Sequence, residues 1–246
     1  MRALAPLADH RAIVLIGGQA VAFWARLLGV TETQPELLPL LSKDIDFEGD
    51  VHAAEEAAAL LGGSARLAGL DDIGPTVALV RFIDADGINR VIDFLVSPLG
   101  LAERDVRNTA VRALITDASG AEVPLLLMHP ERCMESRIYN VTILGKDGEH
   151  QMRQLRASIA CAREWSRRLL EDESVPEAER VRAVLRLNER IFNKCIRDAR
   201  FRELYERHGV DPFEAVVVEH ELLPDALRAR RYPQMLAALT ARRAGE

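Results

Sequence analysis

Three aspartates and a glycine pair are the residues whose type and spacing could do chemistry. In the stretch SKDIDFEG, residues 42–49, Asp44 and Asp46 lie one residue apart within an apolar alternation that includes Ile45 and Phe47. A strand repeats every two residues. Ile45 and Phe47 would then face a core while both carboxylates share the opposite face. Two close carboxylates raise one another's pKa unless a cation neutralises them. Oxygen-only donors suit a hard ion, with Mg²⁺ the default. The plain alternative is a solvated strand face.

A third aspartate, Asp93, stands in the β-rich run INRVIDFLV between Ile92 and Phe94. A carboxylate in so apolar a strand needs a partner or a wet cleft. Arg81 and Arg90 are candidate partners if its role is structural. Upstream, the apolar run AIVLI (residues 12–16) leads at once into Gly17-Gly18 and then into QAVAFWARLL. Glycines at a strand-to-helix turn allow close backbone approach, and the helix that follows offers free N–H groups and a positive dipole end. That is a phosphate cradle, or simply a tight connection. Two aspartates on one strand and a third on a neighbour could hold two Mg²⁺, the arrangement that serves in-line phosphoryl chemistry.

These residues need a sheet to position them. AIVLI reads as a buried strand, and QAVAFWARLL has the apolar stripe of an amphipathic helix. GVTETQPELLPLL reads as a loop-like insert with two prolines. After the DxD strand, VHAAEEAAALL reads as a helix ended by Gly62-Gly63. TVALVRFID and INRVIDFLV form a hairpin across the Asp86-Gly87 turn. Residues 110–116 and 122–128 supply two more strands. From His129 the pattern turns helical, with Pro130 at a helix start and Pro176 separating two long charged helices. The expected division is an α/β domain over residues 1–125 and a helical domain over residues 126–246.

Composition bounds the rest. With 246 residues, 48% hydrophobic and 28% charged, this is an ordinary globular chain. No apolar run approaches the roughly 20 residues of a membrane helix, and no membrane partner is expected. The N-terminus reads as a strand and not as a signal peptide. Cys133, Cys161 and Cys195 form no CxxC pair, and the six histidines form no HxxxH or HExxH. A reduced, cytoplasmic protein without a zinc site is the expectation. A net charge of −6 argues against strong non-specific nucleic-acid binding by the chain as a whole. Within it, residues 1–125 carry 10 basic against 18 acidic side chains, and residues 126–246 carry 22 against 20. Any RNA would be held by the helical half, through Arg153, Arg156, Arg163, Arg167 and Arg168, unless these merely solvate a helix.

Taken in order, IGGQAVAFW, SKDIDF and RVIDFL resemble the motifs of the nucleotidyltransferase superfamily with the DNA polymerase β fold. Residues 128–165 are similar in character to its AbiEii-type branch, which includes toxins of toxin–antitoxin and phage-defence systems. The motif matches cover residues 13–24, 42–47 and 90–95, residues 128–165 loosely, and the last eighty residues not at all. The resemblance implies an α+β fold, with an N-terminal mixed sheet and flanking helices followed by a helical C-terminal domain. It implies a Mg²⁺-dependent enzyme that transfers a nucleoside monophosphate from an NTP to an RNA or protein hydroxyl, with an antitoxin protein as partner if the chain is a toxin. Gly17, Gly18 and Gln19 would hold the triphosphate, with Ser42 and Lys43 beside it. Asp44, Asp46 and Asp93 would ligate two Mg²⁺, and Asp93 would help activate the incoming hydroxyl. Arg137 takes the place of a basic residue of the helical part.

The chain departs from that pattern in two places. Gly18 and Asp44 are 26 positions apart, so the proline-containing insert must loop out. The KDxxD-like motif expected in the helical part is reduced to Lys146 and Asp147, with His150 and Gln151 nearby. Arg137 could equally be an ion-pair partner of Glu131 or Glu135. A second function class is a binding or regulatory module that keeps the fold without catalysis. A third is a phosphatase of the haloacid dehalogenase type. That chemistry wants DxDxT directly after a buried strand, whereas here Ser-Lys precedes the first aspartate and Glu48 stands in the threonine's place.

Overall fold

The computed structural model describes residues 2–10, 12–40, 44–69, 74–116 and 120–244. Ser42 and Lys43 lie outside the described residues. The elements run α1 (Ala5–Asp9), β1 (Val14–Leu15), α2 (Gly17–Leu27), α3 (Val30–Thr33), β2 (Ile45–Glu48), α4 (Val51–Leu60), β3 (Ser64–Leu67), β4 (Thr76–Ile83), β5 (Asn89–Leu95), α5 (Glu103–Thr109), β6 (Val111–Thr116) and β7 (Glu122–Leu127). From there the regular elements are helical: α6 (Pro130–Thr142), α7 (Glu149–Glu171), α8 (Glu177–Arg197), α9 (Ala199–His208) and α10 (Tyr232–Ala244). Among the described residues, no helix is long and apolar enough to cross a membrane.

The chain is therefore α+β, with one mixed seven-stranded sheet in the order β3-β4-β5-β2-β1-β7-β6. β2 pairs parallel with β5, and β1 parallel with β7; the remaining neighbours are antiparallel. The DxD strand thus sits at the middle of the sheet, and the second arm of the hairpin lies directly beside it. The core face follows from the period-two pattern. Phe47 and Phe94 are register partners, stack at 5.9 Å between ring centroids, and are buried together with Ile92. Burying aromatics of this size fixes the register, because a slip of one residue would turn both rings to the other face.

By contacts the chain divides into two compact units, Met1–Phe23 with Pro39–Arg137, and Trp24–Leu38 with Ile138–Glu246. The expected boundary at 125/126 falls inside β7. The first unit keeps α6 as far as Arg137, and the second takes in the proline-containing insert as far as Leu38. That insert is not a plain loop: it contains α3 and a 3-10 turn at Pro35–Leu37, both packed on α7. Trp24 and Trp165 meet edge to face within this second unit, at 5.2 Å between centroids. The buried strand expected over residues 12–16 is paired only at Val14–Leu15, although Ile13 and Ile16 are buried too. β3 and α5 have no counterpart in the sequence reading.

Candidate functional site

β2 and β5 position the carboxylates. In the parallel ladder Asp46 is the register partner of Asp93, as Ile45 is of Ile92. Register partners on neighbouring strands project to the same face. Asp46 and Asp93 therefore stand side by side, opposite the Phe47–Phe94 core. Asp44, one period earlier and exposed, acts electrostatically on Asp93. Burial holds the Asp93 carboxyl above the usual range; a hydrogen bond from Thr76 Oγ1 to its Oδ2 at 3.4 Å works against this, and the charge of Asp44 adds to it. Its other oxygen, Oδ1, is buried with no hydrogen-bond partner among the described residues. The structural partners expected for Asp93 are not used. Arg90 instead binds Asp84 at 2.7 Å. Residues 90 and 93 are an odd number apart, so their side chains leave opposite faces of the strand.

The glycine turn closes on the same carboxylates. Ile16 N–H donates to the Asp46 carbonyl at 3.0 Å, which brings the start of α2 against β2. Gly17 is buried and has a φ of 68°. A Cβ there would lie 2.2 Å from Asp46 Oδ2 and 3.2 Å from Asp46 Cβ. No residue with a side chain fits, both for space and for backbone strain. Gly18 is buried behind it, and Gln19 is half-buried on the first turn of the helix. Arg137, half-buried on α6, belongs to the same compact unit. Burial lowers its pKa, while Cys133 and the charge of Asp46 oppose that shift, so its guanidinium lies within electrostatic reach of Asp46. Lys146, Asp147, His150 and Gln151 fall in the other unit.

The face that carries Asp44 and Asp46 also carries Glu48, which the sequence reading treated only as a mismatch to a phosphatase motif. Glu48 is fully buried, and its Oε1 accepts from Arg107 Nε of α5 at 2.7 Å. Burial pushes its pKa up to about 7, against the pull of Arg107. Its Oε2 is buried with no hydrogen-bond partner among the described residues. This end of the strand face is covered by protein, and the Asp44 end is open to solvent. On α6, Glu131 and Glu135 are also buried, and Arg132 binds Glu135 at 2.7 Å. His129 Nδ1 accepts the Glu131 N–H at 3.2 Å, capping α6 beside Pro130. The three cysteines are buried; burial pushes the Cys133 thiol up to about 12, so at neutral pH it is packing and not a nucleophile.

The donor chemistry fits a hard divalent cation: Asp46 and Asp93 are register partners, Asp44 acts electrostatically on Asp93, and one Asp93 oxygen has no hydrogen-bond partner among the described residues. Among the described residues, however, no group of three or more His, Cys, Asp or Glu is arranged to hold a metal.

No family model matches the chain, and no curated protein matches it. Among solved structures, JHP933 from Helicobacter pylori aligns over 99% of this chain and 86% of its own, with 15% identity and a TM-score of 0.36. A likeness at that level carries no weight for fold or function.

Two measurements follow from the site's electrostatics. Because the folded-state pKa of Asp93 is raised, ionising it costs stability, and that cost grows as pH rises through the folded pKa. In EDTA at pH 7, Asp93→Asn should therefore melt higher than wild type, by about 2–4 °C for each ~1 kcal/mol relieved. An unchanged or lower melting temperature contradicts this. Glu48 behaves alike, with a window set by its raised value of about 7. Its favourable contribution is whole below pH 4.5 and is lost as pH climbs through 7. Urea denaturation from pH 5 to 8.5 should show wild type losing stability relative to Glu48→Gln, and parallel curves would refute the assignment.

Proposed function

We propose that the sheet-bearing unit is a Mg²⁺-dependent nucleotidyltransferase, which moves the nucleoside monophosphate of an NTP onto a hydroxyl of an RNA or protein acceptor and releases pyrophosphate. The observation that carries this reading is the register of Asp46 with Asp93 on parallel neighbouring strands, with Gly17 packed directly on Asp46. One carboxylate pair and one helix N-terminus are thereby brought to the same place. The nucleotidyltransferase fold, as opposed to α+β in general, is part of the same proposal. Its support is the order of strand, glycine turn, helix, antiparallel DxD strand and parallel Asp93 strand.

The roles follow from the chemistry. Gly17 and Gly18 let the triphosphate approach the backbone N–H groups at the start of α2, with Gln19 on the same turn. Asp44, Asp46 and Asp93 are the residues that would hold two Mg²⁺, which when bound stabilise the attacking and leaving oxygens of an in-line displacement. Asp93, as a carboxylate beside the bound ions, would take the proton of the attacking hydroxyl. Arg137 supplies positive charge near Asp46. Most of the catalysis would be position and charge. A toxin role, with an antitoxin as partner, belongs to the same reading.

A non-catalytic module with this fold is the second reading. The observation that favours it is the lack, among the described residues, of a finished metal cage. One experiment separates the two. Protein, Mg²⁺, total cellular RNA and cell extract are incubated with each of the four NTPs labelled at the α-phosphate. The enzyme reading expects label on one acceptor class, reduced at least about 100-fold in Asp44→Asn, Asp46→Asn and Asp93→Asn, each still folded by circular dichroism. No label with any NTP, or label that survives Asp46→Asn, removes it.

A further inference from the structure

The helical unit contains a cleft of about 700 Å³, walled on one side by α7 and on the other by the insert between α2 and β2. Five arginines of α7 line it: Arg153, Arg156, Arg163, Arg167 and Arg168. Their spacing of three, seven, four and one keeps them on adjoining faces of one helix. From Arg153 to Arg167 the helix rises about 21 Å, at 1.5 Å per residue.

The arginines differ in how firmly they are held. Arg163 is locked: it donates to the carbonyls of Glu214 and Val216 at 2.9 and 3.0 Å, and to Glu219 at 2.8 Å. Arg167 and Arg168 share only Glu164, at 3.6 and 3.4 Å, in loose solvent-exposed pairs. Such pairs contribute about 0–1 kcal/mol, so a stronger anion displaces them readily. Arg156 is exposed and has no ionic partner among the described residues. The facing wall carries Glu32 and Glu36, both exposed. Among the described residues, no aromatic side chain lines the cleft, so they do not offer base stacking, the usual means of holding nucleobases without hydrogen-bond readout.

We infer that this cleft binds the ribose–phosphate backbone of a short single-stranded RNA. Guanidinium forks pair with phosphate oxygens, and a carboxylate accepts from a ribose 2′-hydroxyl. An arginine-rich wall, with Glu164 among the arginines, facing the carboxylates of Glu32 and Glu36 matches that ligand, whose phosphates and 2′-hydroxyls alternate along the strand. The length of the arginine stripe exceeds what one triphosphate can span, which favours a strand over a free nucleotide. The insert read from the sequence as a loop thus has a task, since it supplies the carboxylate wall. The overall charge of −6 does not oppose the inference, because the acidic excess lies in residues 1–125.

The test is fluorescence anisotropy of a labelled 12-nucleotide single-stranded RNA, in EDTA, so that its outcome does not depend on the proposed metal site. Wild type is expected to bind the RNA at least tenfold more tightly than the matching DNA, and more tightly than ATP in competition. Arg156→Ala/Arg167→Ala should weaken binding at least tenfold and reduce the slope of log K against log salt by about 1.4, the value for two lost single-strand contacts. Glu32→Gln/Glu36→Gln should retain RNA binding and lose the preference over DNA. Arg242→Ala, on α10, should bind as wild type. No RNA binding, equal affinity for ATP, or binding indifferent to the double arginine variant overturns the inference. Loss of transfer activity with this binding intact would count against the proposed enzyme alone.

Discussion

Asp46 and Asp93 are kept side by side by backbone register, on strands about 4.8 Å apart. Neither can leave this face without breaking the ladder, because the same register stacks Phe47 on Phe94 beneath them. The hydrophobic face thus holds the two like charges on the other face together. Everything else at the site answers that constraint. Thr76 hydrogen-bonds one Asp93 oxygen, Gly17 gives up its side chain so that α2 can begin against Asp46, and Arg137 places positive charge within reach. Farther along the same face, Glu48 is buried with Arg107. A carboxylate-rich face at the centre of a sheet costs stability, and proteins concentrate such costs where they act.

How much of this could be read in the sequence depended on distance along the chain. The DxD strand, the hairpin and the glycine turn were legible because period two and turn chemistry are local. Opposite faces for Phe47 and Asp46 follow from counting alone. The partnership of Asp93 was not legible in the same way. Arg81 and Arg90 were near in sequence, yet Arg90 leaves the other face of the strand, and the partner in place is Thr76 from the adjoining strand. Glu48 was passed over because Arg107 lies 59 residues away, and no local pattern marks a buried ion pair of that span. β3 was missed because it is short and three of its four side chains are exposed, which removes the alternation that signals a strand.

The insert shows the same limit from another side. Pro35 and Pro39 break any helical period, so residues 29–41 read as a loop-like insert. Packing supplied what periodicity did not: α3 and the turn at Pro35–Leu37 are held on α7, with Leu37 and Val30 buried. Within the 26 positions between Gly18 and Asp44, a departure from the resembling family's spacing, Trp24–Leu38 belongs to the helical unit. A reading in chain order assigns each stretch to one domain in turn, whereas the contact division takes each unit from two stretches of chain.

The central claim is that Asp44, Asp46 and Asp93 form a divalent-cation site once an ion neutralises them. Mn²⁺, a hard-donor stand-in for Mg²⁺, can be titrated into the protein with a non-hydrolysable NTP analogue and the unbound ion followed by electron paramagnetic resonance. The account expects up to two bound ions per chain, displaced by excess Mg²⁺ and lost in Asp46→Asn while the fold is retained. No bound ion in wild type, or the same binding in Asp46→Asn, would contradict it.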